Sequence, residues 1–271
     1  HRIVRQGSNR FWARSAAGKY EPDVNELRSL FTAGPQLADR IRDFRLDRIA
    51  KITAGQSPVQ LMDHGTLAME FVPLSAFDIA TTLPLQEILQ NFSIFVPIGS
   101  RSASGARINF DGVLKTSNAD QAATQHRAYV QLFRTGIVEA VTSTIISDSK
   151  GTPIIFNIDD HIIGEAARKL NDLAAVGVEP PYALLISLIG VKGARFNLAR
   201  GANAAWYDNL GDTLDHDQYH FAEVIFEAVP KTPDESAVIV RPILDQIANA
   251  SGAATSPTYD QQGNYISPRR Q

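Results

Sequence analysis

Hydrophobic and polar residues alternate along two neighbouring stretches near the middle of the chain. The alternation runs from Tyr129 to Arg134 and again from Ile137 to Thr144, and the turn Arg134-Thr135-Gly136 separates the two. Period-two patterning on both sides of a glycine-containing turn is typical of a β-hairpin. We therefore predict a hairpin over residues 126–146. Both of its faces are mixed, so we expect one face to meet a helix or a second layer and the other to meet water.

The first 52 residues predict a short hairpin followed by two helices. Residues 2–14 fit two strands around a Gly-Ser-Asn turn. Asp23 and the glutamate three residues later have the spacing of a capping box, so a helix begins there. Gly34-Pro35 is expected to end it and to start a second helix that reaches about Ile52.

The second of these helices carries two arginines within its apolar arc. Helical spacing aligns Leu37, Ile41, Phe44, Ile49 and Ile52 on one face. Arg45 and Arg48 fall within the same arc. Either they lie at a packing edge with their charged ends in water, or they meet a carboxylate or phosphate between domains. At a packing edge, changing both to Gln would barely alter the melting temperature.

The remaining pattern predicts an α+β fold. Its mixed or antiparallel sheets carry helices on one face, after the short basic hairpin and the two helices. Turn residues near 54–58 predict two domains, 1–53 and 54–271. We predict helices over 83–92, 159–176 and 234–250, and strands over 67–74, 93–98, 107–115, 182–191 and 219–229. A bend at Asp111-Gly112 is open within the strand over 107–115. Residues 182–191 are the most hydrophobic of these strands and are expected at the sheet centre, and the tail is expected to be held through Tyr259 and Tyr265.

Composition excludes several classes of protein. No apolar run approaches the ~18 residues of a membrane span, and the first residues have no signal-peptide core. The chain has 0 cysteines, which excludes disulfides and thiolate chemistry and fits a reducing, cytoplasmic setting. The opening residues resemble the middle of a strand, so we expect a fragment of a longer protein, with an upstream domain as one partner and a homo-oligomer as another.

Positive charge is concentrated at the start of the chain. Residues 1–51 carry a net charge of +5 and residues 52–271 a net charge of −8. Such a basic edge fits a phosphate backbone, and the alternative interpretation is a solvated strand pair that balances an acidic surface elsewhere. The candidate nucleic-acid-binding residues are Arg2, Arg5, Arg10, Arg14 and Lys19.

No motif in the sequence predicts a catalytic or metal-binding site. His216 and His220 would lie about 13 Å apart along a strand, too far to share one ion. On a helix, the adjacent side chains of Asp159, Asp160 and His161 point in different directions. Asp159 is expected to cap the helix, and His161 is expected to pack or be solvated. The segment 99–105 resembles a phosphate loop in composition but has no following Lys. We therefore expect no catalytic residue, no metal and no cofactor.

Several stretches resemble bacterial proteins with a Schlafen-like, AlbA-type DNA-binding domain followed by a long C-terminal region. They include AYVQLFRTGIVEAV and, near the start, HRIVRQGSNRFWARSAAGKYEPDVNELRSLF. In full they are residues 1–31, 37–52, 71–77, 109–114, 128–141, 241–252 and 259–265. The first stretch resembles the last strand pair of the DNA-binding domain and its exit helix, and it contains the five basic residues named above.

The resemblance implies a role in transcription regulation or antiviral defence. It places the acidic nuclease motif of the Schlafen core upstream of this chain. The first hypothesis is therefore a non-catalytic accessory module for interaction or sensing. The first alternative is direct nucleic-acid binding through residues 1–51. The second is a small-ligand sensor or enzyme with a pocket between the central hairpin and residues 182–191.

The basic edge gives a first testable prediction. If it contacts phosphates, changing Arg2, Arg5, Arg10 and Arg14 to Gln abolishes micromolar, salt-sensitive binding to single- or double-stranded oligonucleotides. Fluorescence polarisation at two salt concentrations measures this. Unchanged binding by the variant would exclude the basic edge as the contact surface.

Overall fold

The computed structural model describes residues 13–15, 18–20, 24–77, 83–117, 124–149, 151–199 and 209–266, with side chains from residue 35 onward. The helices are α1 (Val24–Thr53), α2 (Leu85–Gln90), α3 (Ile158–Ala175) and α4 (Pro233–Ala250). The strands are β1 (Ala13–Ser15), β2 (Gly18–Tyr20), β3 (Thr66–Pro73), β4 (Gly105–Ile108), β5 (Gly112–Thr116), β6 (Ala128–Phe133), β7 (Val138–Thr142), β8 (Ile146–Ser149), β9 (Thr152–Ile155), β10 (Tyr182–Ile189), β11 (Arg195–Asn197), β12 (Leu210–Thr213), β13 (Gln218–His220) and β14 (Val224–Phe226).

Backbone contacts divide the chain into two units, residues 1–44 and 45–271. In the first unit β1 and β2 form an antiparallel pair in which Arg14 is opposite Lys19. The strand predicted to begin at Arg2 lies outside the described residues. The predicted domain boundary after residue 53 falls at the end of α1 and stays a prediction.

Helix α1 corrects the predicted break at Gly34-Pro35. It is one helix of 30 residues with Pro35 in its interior. Proline removes a single N–H donor from the helix. The loss of one hydrogen bond leaves those of the neighbouring turns available, so a helix can continue past a proline.

The main sheet has eight strands and is antiparallel throughout. Its order is β13-β10-β3-β7-β6-β5-β4, and β14 pairs with β10 beside β13. This confirms the predicted α+β class. Strand β10 is fully buried as expected, but β7 rather than β10 lies at the middle of the sheet. Two short strands cover the outer edge of β10, and they replace the single strand predicted over 219–229.

The central hairpin is β6 and β7, with Gly136 at φ +85° in the predicted turn. The expectation that one face meets water is wrong, because both strands are buried on both faces. Val130 and Ala140 pack with α3 and α4 in the larger core. Tyr129 and Val141 pack on the other face against Ile49 and Ile52 of α1, among other residues. Helices therefore cover both faces of the sheet, rather than the single face predicted.

Two further predicted strands are also corrected. Residues 107–115 form two strands, β4 and β5, because the chain turns at Gly112, where φ is +150° and the Asn109 side chain accepts the Gly112 N–H at 2.9 Å. Residues 93–98 form no strand. Phe95 has φ +50°, outside the extended region.

A second, four-stranded sheet has the order β12-β11-β9-β8, with a parallel pair between β11 and β9.

The tail is held by hydrogen bonds of other residues as well as by its two tyrosines. Asp159 does not cap α3, whose N-cap is Asn157; its carboxylate instead accepts hydrogen bonds from Ser256 and Thr258. Among the described residues, no helix combines the length and apolar character needed to cross a lipid bilayer.

A buried ion pair fixes the last turns of α1 to the sheet. The guanidinium of Arg48 donates to both oxygens of Glu139, with Nε–Oε2 at 2.6 Å and Nη2–Oε1 at 2.9 Å. The Tyr129 hydroxyl donates to the same carboxylate at 2.7 Å. Arg48 and Glu139 are both buried. The charged end of Arg48 thus lies inside the protein, not in water at a packing edge.

We therefore expect Arg48→Gln to destabilise the protein strongly. It leaves the Glu139 carboxylate buried without its counter-charge, which costs on the order of 3–5 kcal/mol. Urea unfolding measures the change. Lys51→Gln is the matched control, since it removes an exposed pair on the same helix and changes stability by less than about 1 kcal/mol. An equal loss of stability in the two variants would contradict a buried ion pair between Arg48 and Glu139.

Candidate functional site

The sequence-predicted contact residues are divided between two regions. The structure describes no side chain before residue 35. The role proposed for Arg2, Arg5, Arg10, Arg14 and Lys19 therefore stays a prediction. Arg45 and Arg48 lie in the second unit. Arg45 donates from Nη1 to the Phe221 carbonyl at 3.0 Å, and its Nη2 is 3.6 Å from a Glu223 oxygen.

A buried carboxylate pair lies under these arginines. Glu70 on β3 is the cross-strand partner of Glu139 on β7, and both are fully buried. Neither carboxylate oxygen of Glu70 has a hydrogen-bond partner within the part of the chain that the structure describes. Burial, and after it the charge of Glu139, raises the pKa of Glu70, while Arg45 and Arg48 oppose the shift, and the net result is a pKa of about 8. The site is enclosed, so it affects stability rather than offering a surface to a ligand.

The irregular segment 91–100 is held by cations on the opposite face of the sheet. Lys115 on β5 donates to the carbonyls of Asn91 and Ile94, the latter at 2.9 Å. Lys169 on α3 donates to the Val96 carbonyl at 2.5 Å. Burial lowers the pKa of both lysines, that of Lys115 to about 8.

Helix α3 supplies two further contacts to the same segment. Asp172 Oδ2 accepts the Phe95 N–H at 2.7 Å. Arg168 Nη1 donates to the Ser100 carbonyl at 3.4 Å. Glu165 pairs with both Arg168 and Lys169, with the Lys169 contact at 2.7 Å. The end of the segment near Ser100 is thereby fixed against α3.

A polar cavity of about 260 Å³ lies beside this fixed end. Strand β5 ends and strand β6 begins at the same end of the sheet as β7 ends, so residues next to these termini meet there. The polar side chains lining the cavity are Ser100, Ser117, Arg127, Thr142, Thr144 and His161. Of the other lining residues, Ile98 and Ile145 are buried and apolar, whereas Arg127 and Gly99 are exposed.

The main chain around the cavity is well fixed. The Arg127 carbonyl accepts the Ser143 N–H at 2.8 Å and the Thr142 hydroxyl at 3.3 Å. Ser117 accepts the Ala128 N–H on its hydroxyl at 3.1 Å. The cavity is therefore bounded by main chain that the sheet holds in place.

Four polar side chains in the cavity have no protein partner among the described residues. The guanidinium of Arg127, the ring of His161 and the hydroxyls of Ser100 and Thr144 make no hydrogen bond or ion pair there. No described residue lining the cavity is acidic. The arrangement therefore offers hydrogen-bond donors and a permanent positive charge to a ligand.

Burial also affects the protonation of His161. It lowers the pKa of His161, and Arg168 lowers it further, while the nearby Asp160 charge opposes the shift. The imidazole is therefore neutral over a wider pH range than a solvated histidine. A neutral ring can donate or accept a hydrogen bond, depending on its tautomer.

Two of these residues belong to segments with a recognisable sequence pattern. Segment 99–105 resembles a phosphate loop in composition and His161 is expected to pack or be solvated, but nothing in the sequence indicates that Ser100 and His161 lie beside one cavity. Arg127 carried no motif. His216 and His220 make separate contacts, with Asp215 at 2.6 Å and Ser187 at 3.0 Å. Over the described ranges, no three His, Asp or Glu side chains gather as a metal site requires.

Comparison of the chain with protein-family models, with curated proteins and with solved structures finds no match.

The pKa of Glu70 gives a prediction about stability and pH. A carboxyl group with a folded-state pKa near 8 keeps its proton while the unfolded chain loses one above pH ~4.5, so its contribution to stability falls as pH rises through this window. Glu70→Gln removes this titration. The variant should therefore gain stability relative to the natural chain between pH 5 and pH 8, by roughly 3–4 kcal/mol.

Urea unfolding of both proteins at pH 5 and pH 8 measures the difference. Glu87→Gln, in the first turn of α2, provides an exposed control and should show no such pH-dependent gain. A stability difference for Glu70→Gln that is the same at both pH values would contradict a protonated Glu70.

Proposed function

We propose that residues 45–271 form a non-catalytic binding module that senses a small polar ligand in the cavity between the ends of β5, β6 and β7 and the first turn of α3. The observation that carries this proposal is the set of four polar side chains in the cavity without protein partners. Polar side chains without protein partners, beside a fixed main chain, are well suited to fix a ligand's orientation.

The surrounding contacts support a sensing role. Ser100 belongs to the segment held by buried cations, His161 to α3, and Arg127 to the start of the central hairpin. A ligand contacting all three would join elements that are distant in sequence, and such binding stabilises the folded state. The cavity differs in place from the pocket expected against residues 182–191.

The wider role rests on the sequence resemblance. We propose that the module is an accessory part of a Schlafen-like DNA-binding protein, in which ligand binding would be relayed to an upstream domain. Contact of residues 1–51 with nucleic acid remains the alternative hypothesis, and the oligonucleotide experiment above tests it.

A cavity-filling substitution tests the binding function. Thr144→Phe should fill the cavity, whereas Thr135→Phe places the same side chain in the exposed turn at the far end of the hairpin. At a hundredfold excess over Kd a ligand contributes about 2.7 kcal/mol, or roughly 5–10 °C in melting temperature. Scanning fluorimetry with nucleotides, sugar phosphates, carboxylic acids and sugars should show such a shift for the natural chain and Thr135→Phe only. Equal shifts in both variants would contradict binding in this cavity.

A further inference from the structure

The chemistry of the cavity lining indicates the class of ligand, on the condition that the proposed binding function holds. Arg127 supplies a charge that persists at all physiological pH values, in a planar array of donors that matches an oxyanion. The hydroxyls of Ser100 and Thr144 and the ring of His161 add donors around the same space. Since no described lining residue is acidic, nothing among them repels an anion.

The size of the cavity restricts the ligand further. Its volume of about 260 Å³ is below the range of roughly 300–1,000 Å³ typical of sites that enclose a whole drug-sized ligand. A compact anionic group therefore fits, with any larger remainder of the molecule outside.

The small volume of the cavity also favours a group that has a single link to the rest of its molecule. Two of the lining residues, Ile98 and Ile145, are buried, whereas Gly99 and Arg127 are exposed. A terminal phosphate has three free oxygens and one ester link, so the remainder of the molecule leaves it on one side only. A phosphodiester within a continuous strand carries a chain on both sides and needs more room.

We propose that the cavity binds the terminal phosphate of a phosphate monoester. Arg127 pairs with the phosphate, and Ser100, Thr144 and His161 donate to its oxygens. The same group occurs on small metabolites such as nucleotides and on the 5′ end of a nucleic-acid strand. The shared chemistry defines the site, and experiment distinguishes the two sources.

Isothermal titration calorimetry on the full chain with inorganic phosphate, AMP and adenosine tests the assignment. We expect phosphate and AMP to bind one site and to compete, and adenosine not to bind. Arg127→Gln should weaken both interactions by at least about tenfold, because it removes charged hydrogen bonds to the anion. Because Arg127 is exposed, we expect this substitution to leave the stability of the fold unchanged.

Arg134→Gln is the matched control. Arg127 and Arg134 flank the same strand, β6, at opposite ends, about 23 Å apart by strand rise, and both are exposed. The control should bind like the natural chain. Equal phosphate affinity in Arg127→Gln and the natural chain would overturn the proposal, as would adenosine binding as tightly as AMP.

The outcome separates this proposal from the function on which it rests. Suppose that phosphate and AMP fail to bind while an uncharged sugar binds and is excluded by Thr144→Phe. The binding function then stands and the phosphate assignment is wrong. If no binding responds to Thr144→Phe, both are wrong.

A second arm identifies the source of the phosphate. A short oligonucleotide is compared with and without a 5′-phosphate by fluorescence polarisation. Tighter binding of the phosphorylated form, lost in Arg127→Gln, supports the proposal with a nucleic-acid end as the ligand. Equal binding of the two oligonucleotides together with AMP binding supports it with a small molecule.

Discussion

The shape of the candidate site depends on how three buried or half-buried cations are satisfied. An ammonium group taken from water needs hydrogen-bond acceptors, and without them it loses its proton. Lys115 and Lys169 find acceptors in the main-chain carbonyls of segment 91–100, and Arg168 adds a contact at Ser100. Those carbonyls therefore do not form a strand ladder. The segment instead follows the positions of the lysines, and the wall of the cavity at Ser100 is set by α3 and β5 together.

On the other face of the sheet, two buried carboxylates also need hydrogen-bond partners, and only one of them has such partners among the described residues. The charge of Glu139 is satisfied by Arg48 and Tyr129, whereas Glu70 beside it receives no hydrogen bond from the described residues. A sheet covered by helices on both faces cannot move such a group to water, so its pKa rises instead. Apolar contacts of Ile49 and Ile52 with the same face help to offset this cost. Polar residues in this layer therefore fix the position of α1 at some expense in stability.

The sequence predicted the elements whose signal is local and missed those decided by distant residues. The central hairpin, α3 and α4 have strong periodicity, and all three are present close to the predicted bounds. The pattern at 93–98 is equally typical of a strand, but the partners of its carbonyls come from Lys115 and Lys169, which no local rule can supply. The site was less predictable than the fold for the same reason. Ser100, Arg127 and His161 come together only when the ends of three strands meet the first turn of α3.

Binding is the activity that we propose for the cavity, and its lining can be compared with that of a catalytic site. In a nucleophile–base pair, a third group usually orients the base. The ring of His161 makes no hydrogen bond to the described residues, and burial lowers its pKa, so a bound ligand would be the group that sets its orientation. Arg127 is similarly left to a ligand. Because the walls that carry these side chains are held by the sheet and by buried cations, binding would cost the protein little ordering of its main chain. A fixed frame whose polar side chains have no partner among the described residues is what the proposed binding of a small anion requires.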